Sequence, residues 1–130
     1  MKTIFKAGDQ KQYRVCITEA DCAAFHGEMV HPVYATFALA RDFEWTSRLF
    51  FLEMKEDDEE GVGTLLSIEH KGMAHVGSEV LITATVELIR GNELICKIEA
   101  RCNDAVVAIG KTGQKMLKKE KLKRLIKQHG

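Results

Sequence analysis

From residue 79 to residue 115 apolar and polar residues alternate almost without a break, and this pattern limits the fold more than any other feature. Val80, Ile82, Ala84, Val86 and Leu88 alternate with Thr83, Thr85 and Glu87. A period of two puts the first set on one face of a strand and the second on the other. Gly91-Asn92 is a turn signal, after which Leu94, Cys96, Ile98, Ala100 and Cys102 alternate with Lys97, Glu99 and Arg101. Asn103-Asp104 turns the chain again. Residues 106–115 read as a third strand, with Gly110 and Gly113 marking bulges or close packing. Turns this short make the three strands antiparallel neighbours in a meander. Earlier in the chain, residues 13–18 read as a strand. Gly61-Val62-Gly63 leads into another, over residues 64–70, which would turn His70 to the same apolar face as Leu66 and Ile68.

Residues 35–54 contain no Gly or Pro and read as one long helix. Thr36, Leu39, Ala40, Phe43, Ser47, Phe50, Phe51 and Met54 share a broad face, while Trp45, Leu49 and Leu52 lie opposite. A helix apolar nearly all round is a buried one. One long buried helix with an antiparallel meander predicts an α+β fold, a sheet curled round a helix. The acidic run from Glu53 to Glu60 opposes the dipole at a helix C-terminus, so the helix should stop near Lys55 and a solvated loop follow. Thr18-Glu19-Ala20-Asp21 reads as a capped start of a short helix reaching about Phe25. After Lys118, Leu122, Leu125 and Ile126 form an apolar stripe on a basic C-terminal helix.

Composition sets the remaining bounds. The chain of 130 residues is expected to form a single domain spanning residues 1–130. At that size it needs neither disulfide nor metal to close a core. No apolar run approaches the roughly 20 residues that span a bilayer, and no apolar segment follows Lys6 as in a secretory signal. Cys16, Cys22, Cys96 and Cys102 lack metal or redox spacing and read as reduced thiols of a cytoplasmic protein. Nineteen basic and nineteen acidic residues cancel, which argues against a nucleic-acid-coating protein. The cancellation is uneven. Residues 111–130 hold eight Lys or Arg against one Glu, and an acidic body offsets them. A solvated helix explains that tail. The sharper alternative is that Lys118, Lys119, Lys121 or Arg124 attracts an anionic ligand to the mouth of a site.

No phosphate loop, zinc-protease helix or nucleophile elbow is present. Three polar residues are out of place nonetheless. Glu44 interrupts the apolar helix between Phe43 and Trp45, where a carboxylate is costly unless it is paired or tuned for proton transfer. It could equally reach the surface or pair with Arg41 or Arg48. Thr36 opens the helix and would serve as its N-cap. His70 ends a strand, where a structural histidine is the ordinary case. On a regular helix Thr36 and Glu44 stand about 12 Å apart. They need a bridging substrate or water, a break before the helix, or two subunits to act together.

Val30-His31-Pro32-Val33-Tyr34-Ala35-Thr36, Glu44-Trp45, Gly61-Val62-Gly63-Thr64 and Ile68-Glu69-His70 together resemble the fluoroacetyl-CoA thioesterase-like family of hot-dog-fold proteins. The resemblance spans about residues 30–115. It implies a hot-dog fold, a homodimer or tetramer with acyl-CoA sites at the interface, and hydrolysis of a short-chain acyl-CoA without cofactor or metal. Carried over, Thr36 is the hydroxyl at the thioester, Glu44 the base or nucleophilic carboxylate, and His70 the acid and positioning partner. Gly63, Thr64, Tyr34 and Phe37 would contact substrate, with the Gly63 backbone close to the acyl oxyanion. Two departures argue against fluoroacetyl specificity. Phe37 stands where the fluoroacetyl-specific enzyme has glycine, and the segment between Phe25 and Val30 is short for a hydrophobic lid.

Two other functions fit the same fold. Residues 18–25 are similar to the opening of hot-dog enoyl-CoA hydratases, but those enzymes carry an Asp and a His around an Asn-Pro, a pattern that Gly27-Glu28-Met29-Val30-His31-Pro32 lacks. A non-catalytic acyl-CoA binding protein is the second.

Overall fold

The alternating ladder folds as β5 (Glu79–Arg90), β6 (Glu93–Cys102) and β7 (Ala105–Lys118), consecutive antiparallel strands. The structure is a computed structural model and describes residues 1–25 and 28–129. His26 and Gly27, where the sequence bears on a lid and on the hydratase motif, lie outside the described residues. The other strands are β1 (Gln10–Cys16), β2 (Cys22–Phe25), β3 (Glu28–Tyr34) and β4 (Glu59–His70). The helices are α1 (Thr36–Met54) and α2 (Lys119–His129). Five strands form one antiparallel sheet in the order β1-β5-β6-β7-β4, and β2 and β3 form a separate hairpin. The fold class is the expected one: a sheet curved over α1, with a short C-terminal helix.

The core is the side of the ladder that faces α1. Val80, Ile82, Ala84 and Val86 of β5 are buried, as are Leu94, Cys96, Ile98 and Ala100 of β6. They meet Leu39, Phe43, Phe50 and Phe51 of α1. Burial of each phenylalanine contributes about 2–3 kcal/mol. Phe5 closes one end of this layer, its ring edge-on to Phe50 at 5.0 Å.

Four local expectations change. The alternation in β5 breaks at a bulge between Val86 and Leu88, so Leu88 turns outward and Ile89 packs on the core instead. The helix expected after Thr18 is only a three-residue turn, Glu19–Asp21, before the chain extends into β2. Strand β4 begins at Glu59 rather than Thr64, because the end of the acidic run finds cations. Glu60 pairs with Arg48 at 2.6 Å and Lys55 at 3.2 Å. The Arg48 hydrogen bond holds the Glu60 carboxyl down at about 2, so this contact stabilises above the ordinary carboxylate pKa and is lost as pH falls toward about 2. Finally, the apolar face expected for the end of β4 is only partial. Ile68 packs on the core, whereas Leu66 and His70 are exposed.

Close approach of backbones accounts for Gly110. It pairs with Ile68 across β4 and β7, and a Cβ there would lie 1.9 Å from the Ser67 carbonyl oxygen. At Gly63 an added Cβ would meet nothing within 4 Å, so packing within the chain does not require that glycine.

Candidate active site

Strand β4 runs back along α1, so its last residue reaches the first residue of the helix. Thr36 Oγ1 and His70 Nδ1 are 3.1 Å apart. Thr36 is not the N-cap. Ala35 holds that position in extended conformation, which leaves the Thr36 hydroxyl free for the histidine. Either tautomer of His70 satisfies the contact. With Nδ1 accepting from Thr36, the proton sits on Nε2, which is then a donor.

Glu44 lies two turns further along α1. It is exposed rather than buried, on a strip with Phe37, Arg41, Trp45 and Leu52. It thus takes the surface alternative, and the cations it could have paired with are taken. Arg48 binds Glu60, and Arg41 binds Asp42 at 3.0 Å and Asp21 at 2.7 Å. Among the described residues the Glu44 carboxylate makes no hydrogen bond or ion pair. It opens on a cavity of about 250 Å³, which Gly63 of β4 and Thr112, Gly113 and Gln114 of β7 also line. The empty space at Gly63 therefore belongs to this cavity. Next to it Thr64 is the extra residue of a bulge between Gly63 and Leu65, and is exposed.

The residues singled out from sequence thus fall into two groups on one protomer: Thr36 with His70, and Glu44 with Gly63. Phe37, 53% exposed, borders the first group. Tyr34 does not fit the substrate-contacting role. It is 0% exposed and its hydroxyl donates to Asp42. Burial and that hydrogen bond push its phenol pKa well up.

Sequence reasoning missed what lies behind Tyr34. Asp42 is a carboxylate on the buried face of α1 and accepts from both Tyr34 and Arg41. Arg41 also donates to Asp21, whose carboxylate accepts from the Thr18 backbone N–H and hydroxyl. Burial alone would raise the Asp21 carboxyl, but the Arg41 and Thr18 hydrogen bonds outweigh it and hold it below its ordinary value. The Ala35 N–H donates to the Asp21 carbonyl at 2.8 Å. The network therefore pins the residue before Thr36 and fixes where the helix starts. The available signal was Asp42 itself, between Ala38 and Leu39 on the core side of the helical wheel.

A larger hollow of about 850 Å³ lies over the outer face of the sheet, bordered by Gln10, Gln12, Thr83 and Thr85. It contains none of Thr36, Glu44 and His70. Its polar side chains bond one another, Gln10 to Thr85 and Gln12 to Thr83. The smaller cavity is the better candidate.

The model of the fluoroacetyl-CoA-specific thioesterase family matches residues 17–120. The chain belongs to this family. It is a thioester hydrolase by that membership, and the match takes in both groups of site residues. A Thermus thermophilus protein described as a thioesterase superfamily member is 28% identical, with TM-score 0.89 over 95% of this chain and 91% of that one. The fluoroacetyl-CoA-specific thioesterase FlK, in a point-mutant structure, is 17% identical with TM-score 0.89, covering 99% and 100%. A hot-dog-like protein of Thermanaerovibrio acidaminovorans is 18% identical with TM-score 0.87, covering 97% and 94%. The last two likenesses show the hot-dog fold. No curated protein matches significantly. Among the described residues no helix is long and apolar enough to cross a membrane.

Proposed function

We propose that this family member hydrolyses a short-chain acyl-CoA to the free acid and CoA, using Thr36, Glu44 and His70. The observation that carries the reading is the Thr36–His70 contact at the start of α1, with the Glu44 carboxylate, which has no partner among the described residues, further along the same helix. Thioester hydrolysis needs an activated water or a covalent nucleophile, and donors at the developing oxyanion. Glu44 is the base or the nucleophile. His70, oriented through Nδ1 by Thr36, donates from Nε2 to the carbonyl oxygen or the departing sulfur. The open backbone at Gly63 lets an N–H approach the acyl group. A thiol-release assay over acyl-CoA esters of about two to six carbons tests this. CoA should appear with the free acid. Loss of enoyl absorbance without free CoA would instead mark a hydratase, and binding without turnover a non-catalytic carrier.

The separation of the two groups supports a homodimer built on β4. This strand is an edge of the sheet, twelve residues long, with Leu65 47% exposed, and beside it α1 exposes Trp45 at 41%. A long apolar edge is a template for a second strand. Antiparallel pairing of two copies about the middle of β4 sets Gly63 of one copy opposite Leu66 of the other. Gly63 of the second copy then lies about four strand residues from His70, roughly 13 Å, instead of the roughly seven residues, about 23 Å, that separate Gly63 from His70 within one chain.

The same pairing bears on the basic tail. Helix α2 leaves the sheet where the Lys119 N–H donates to the Asp58 carbonyl, at the opposite end of β4 from His70. Within one protomer its cations are remote from Thr36. In the dimer the second copy's α2 comes beside Thr36 and His70, placed to attract CoA phosphates. Leu65→Asp should convert the dimer to a 14.6 kDa monomer by sedimentation, abolish hydrolysis and remove the salt dependence of CoA affinity read by calorimetry. A fully active monomer would sink the dimer, and a wild-type CoA affinity indifferent to salt would sink the role of α2. The free thiols at all four cysteines fit a cytoplasmic location.

A further inference from the structure

We infer that the acyl group carries a hydrogen-bonding substituent of its own, a hydroxyl or carbonyl on the chain, seated against Thr112 and Gln114 in the Glu44 cavity. This rests on the thioester-hydrolase reading and concerns only what the cavity holds. Thr112 lines the cavity and is 1% exposed, yet its Oγ1 has no hydrogen-bond partner of ordinary geometry among the described residues. Its cross-strand neighbour is Cys96, and a thiol is a weak partner. Burial pushes the Cys96 thiol up to about 12, an effect the Thr112 hydroxyl partly offsets. A buried hydroxyl left without a partner is an exception that a ligand can explain.

Gln114 adds a second polar group to the same wall. Two residues along β7 it shares the face of Thr112, is buried, and lines the same cavity. Its Nε2 donates to Ser47 Oγ at 2.9 Å, and Ser47 Oγ donates to the Glu44 carbonyl at 3.0 Å. That relay fixes the orientation of the amide. It leaves Oε1 as an acceptor with no hydrogen bond among the described residues. The cavity wall therefore holds an amide oxygen beside the proposed base, and next to it the residue that carries the buried Thr112 hydroxyl. Its volume of about 250 Å³ suits a short acyl chain. A plain alkyl chain would leave both groups unpaired. A site built to hydrogen-bond a substrate hydroxyl rejects the analogue lacking it far more strongly than an apolar pocket distinguishes one methylene.

The test compares kcat/KM for CoA release from butyryl-CoA, β-hydroxybutyryl-CoA and γ-hydroxybutyryl-CoA, in the wild type, Thr112→Val and Gln114→Met. The wild type should favour one hydroxylated ester by about tenfold or more. Thr112→Val should bring that ratio below about twofold, a change in substrate ratio that a merely structural role would not produce. Gln114→Met carries the test if Thr112→Val does not fold. Equal wild-type values for the three esters, or a preference that survives in both variants, would overturn the inference and leave the hydrolase reading intact. Absence of CoA release from every ester would overturn the hydrolase reading instead. Calorimetric Kd values for the same three esters then decide the inference, and equal affinities would overturn it.

Discussion

Glu44→Gln should lower kcat/KM for acyl-CoA hydrolysis by about 10²–10⁴-fold, the range a positioned acid–base group supplies. The unfolding midpoint should hardly move, because the Glu44 carboxylate is exposed and bonds nothing among the described residues. His70→Ala should cost a similar factor, since it removes the donor and releases the Thr36 hydroxyl. Thr36→Ala should cost less, as the hydroxyl orients the imidazole rather than replacing it. Residues that act as one unit are strongly non-additive, so Thr36→Ala in a His70→Ala background should add little. Steady-state thiol release on variants checked by circular dichroism reads all of this. Wild-type turnover in both Glu44→Gln and His70→Ala would remove these residues from the reaction.

The large outline of the fold is legible in the sequence because it rests on periodicity. The β5–β7 ladder and α1 follow from side-chain spacing alone, and their turns and ends fall within a few residues of those read from the sequence. What differs depends on tertiary partners. A strict period of two puts Leu88 inward, and a bulge interrupts that period. The residues after Asp21 extend into β2 because that segment pairs with β3, which local helix signals do not register. Glu59 and Glu60 join β4 because cations from α1 and its C-cap meet Glu60 there. At the site, each odd polar residue stands out for its local context, but Thr36 is not the N-cap, His70 is not on the apolar face, and Glu44 takes the surface alternative. Glu44 is not desolvated by its own helix. It lies on an exposed strip whose apolar members, Phe37, Trp45 and Leu52, leave the covering to a ligand or a second copy. The cavity wall of Thr112 and Gln114 is invisible in the sequence because it lies on β7, far along the chain from Glu44.

Asp42→Ala should destabilise the protein by about 3 kcal/mol, a large share of the roughly 5–15 kcal/mol typical of a domain. The size of the loss depends on which partner can recover. Arg41 is about half exposed, so water can replace what its guanidinium loses, and it keeps Asp21. The Tyr34 hydroxyl has no such recourse. It is fully buried, and without Asp42 it becomes an unsatisfied donor beside a new void. Tyr34→Phe removes that donor while Asp42 keeps both Arg41 contacts, so it should cost only about 1 kcal/mol. The double variant Tyr34→Phe/Asp42→Ala should then be more stable than the sum of the single losses predicts, because the stranded hydroxyl is gone. Urea unfolding of the four proteins measures the cycle. Strict additivity would mean that Tyr34 and Asp42 are not coupled through this bond. Because Asp21 also anchors the Ala35 N–H, loosening of the network should reach Thr36. Asp42→Ala should therefore lower kcat more than KM rises, at temperatures where it remains folded. A loss of stability with kcat untouched would confine the network to holding the fold.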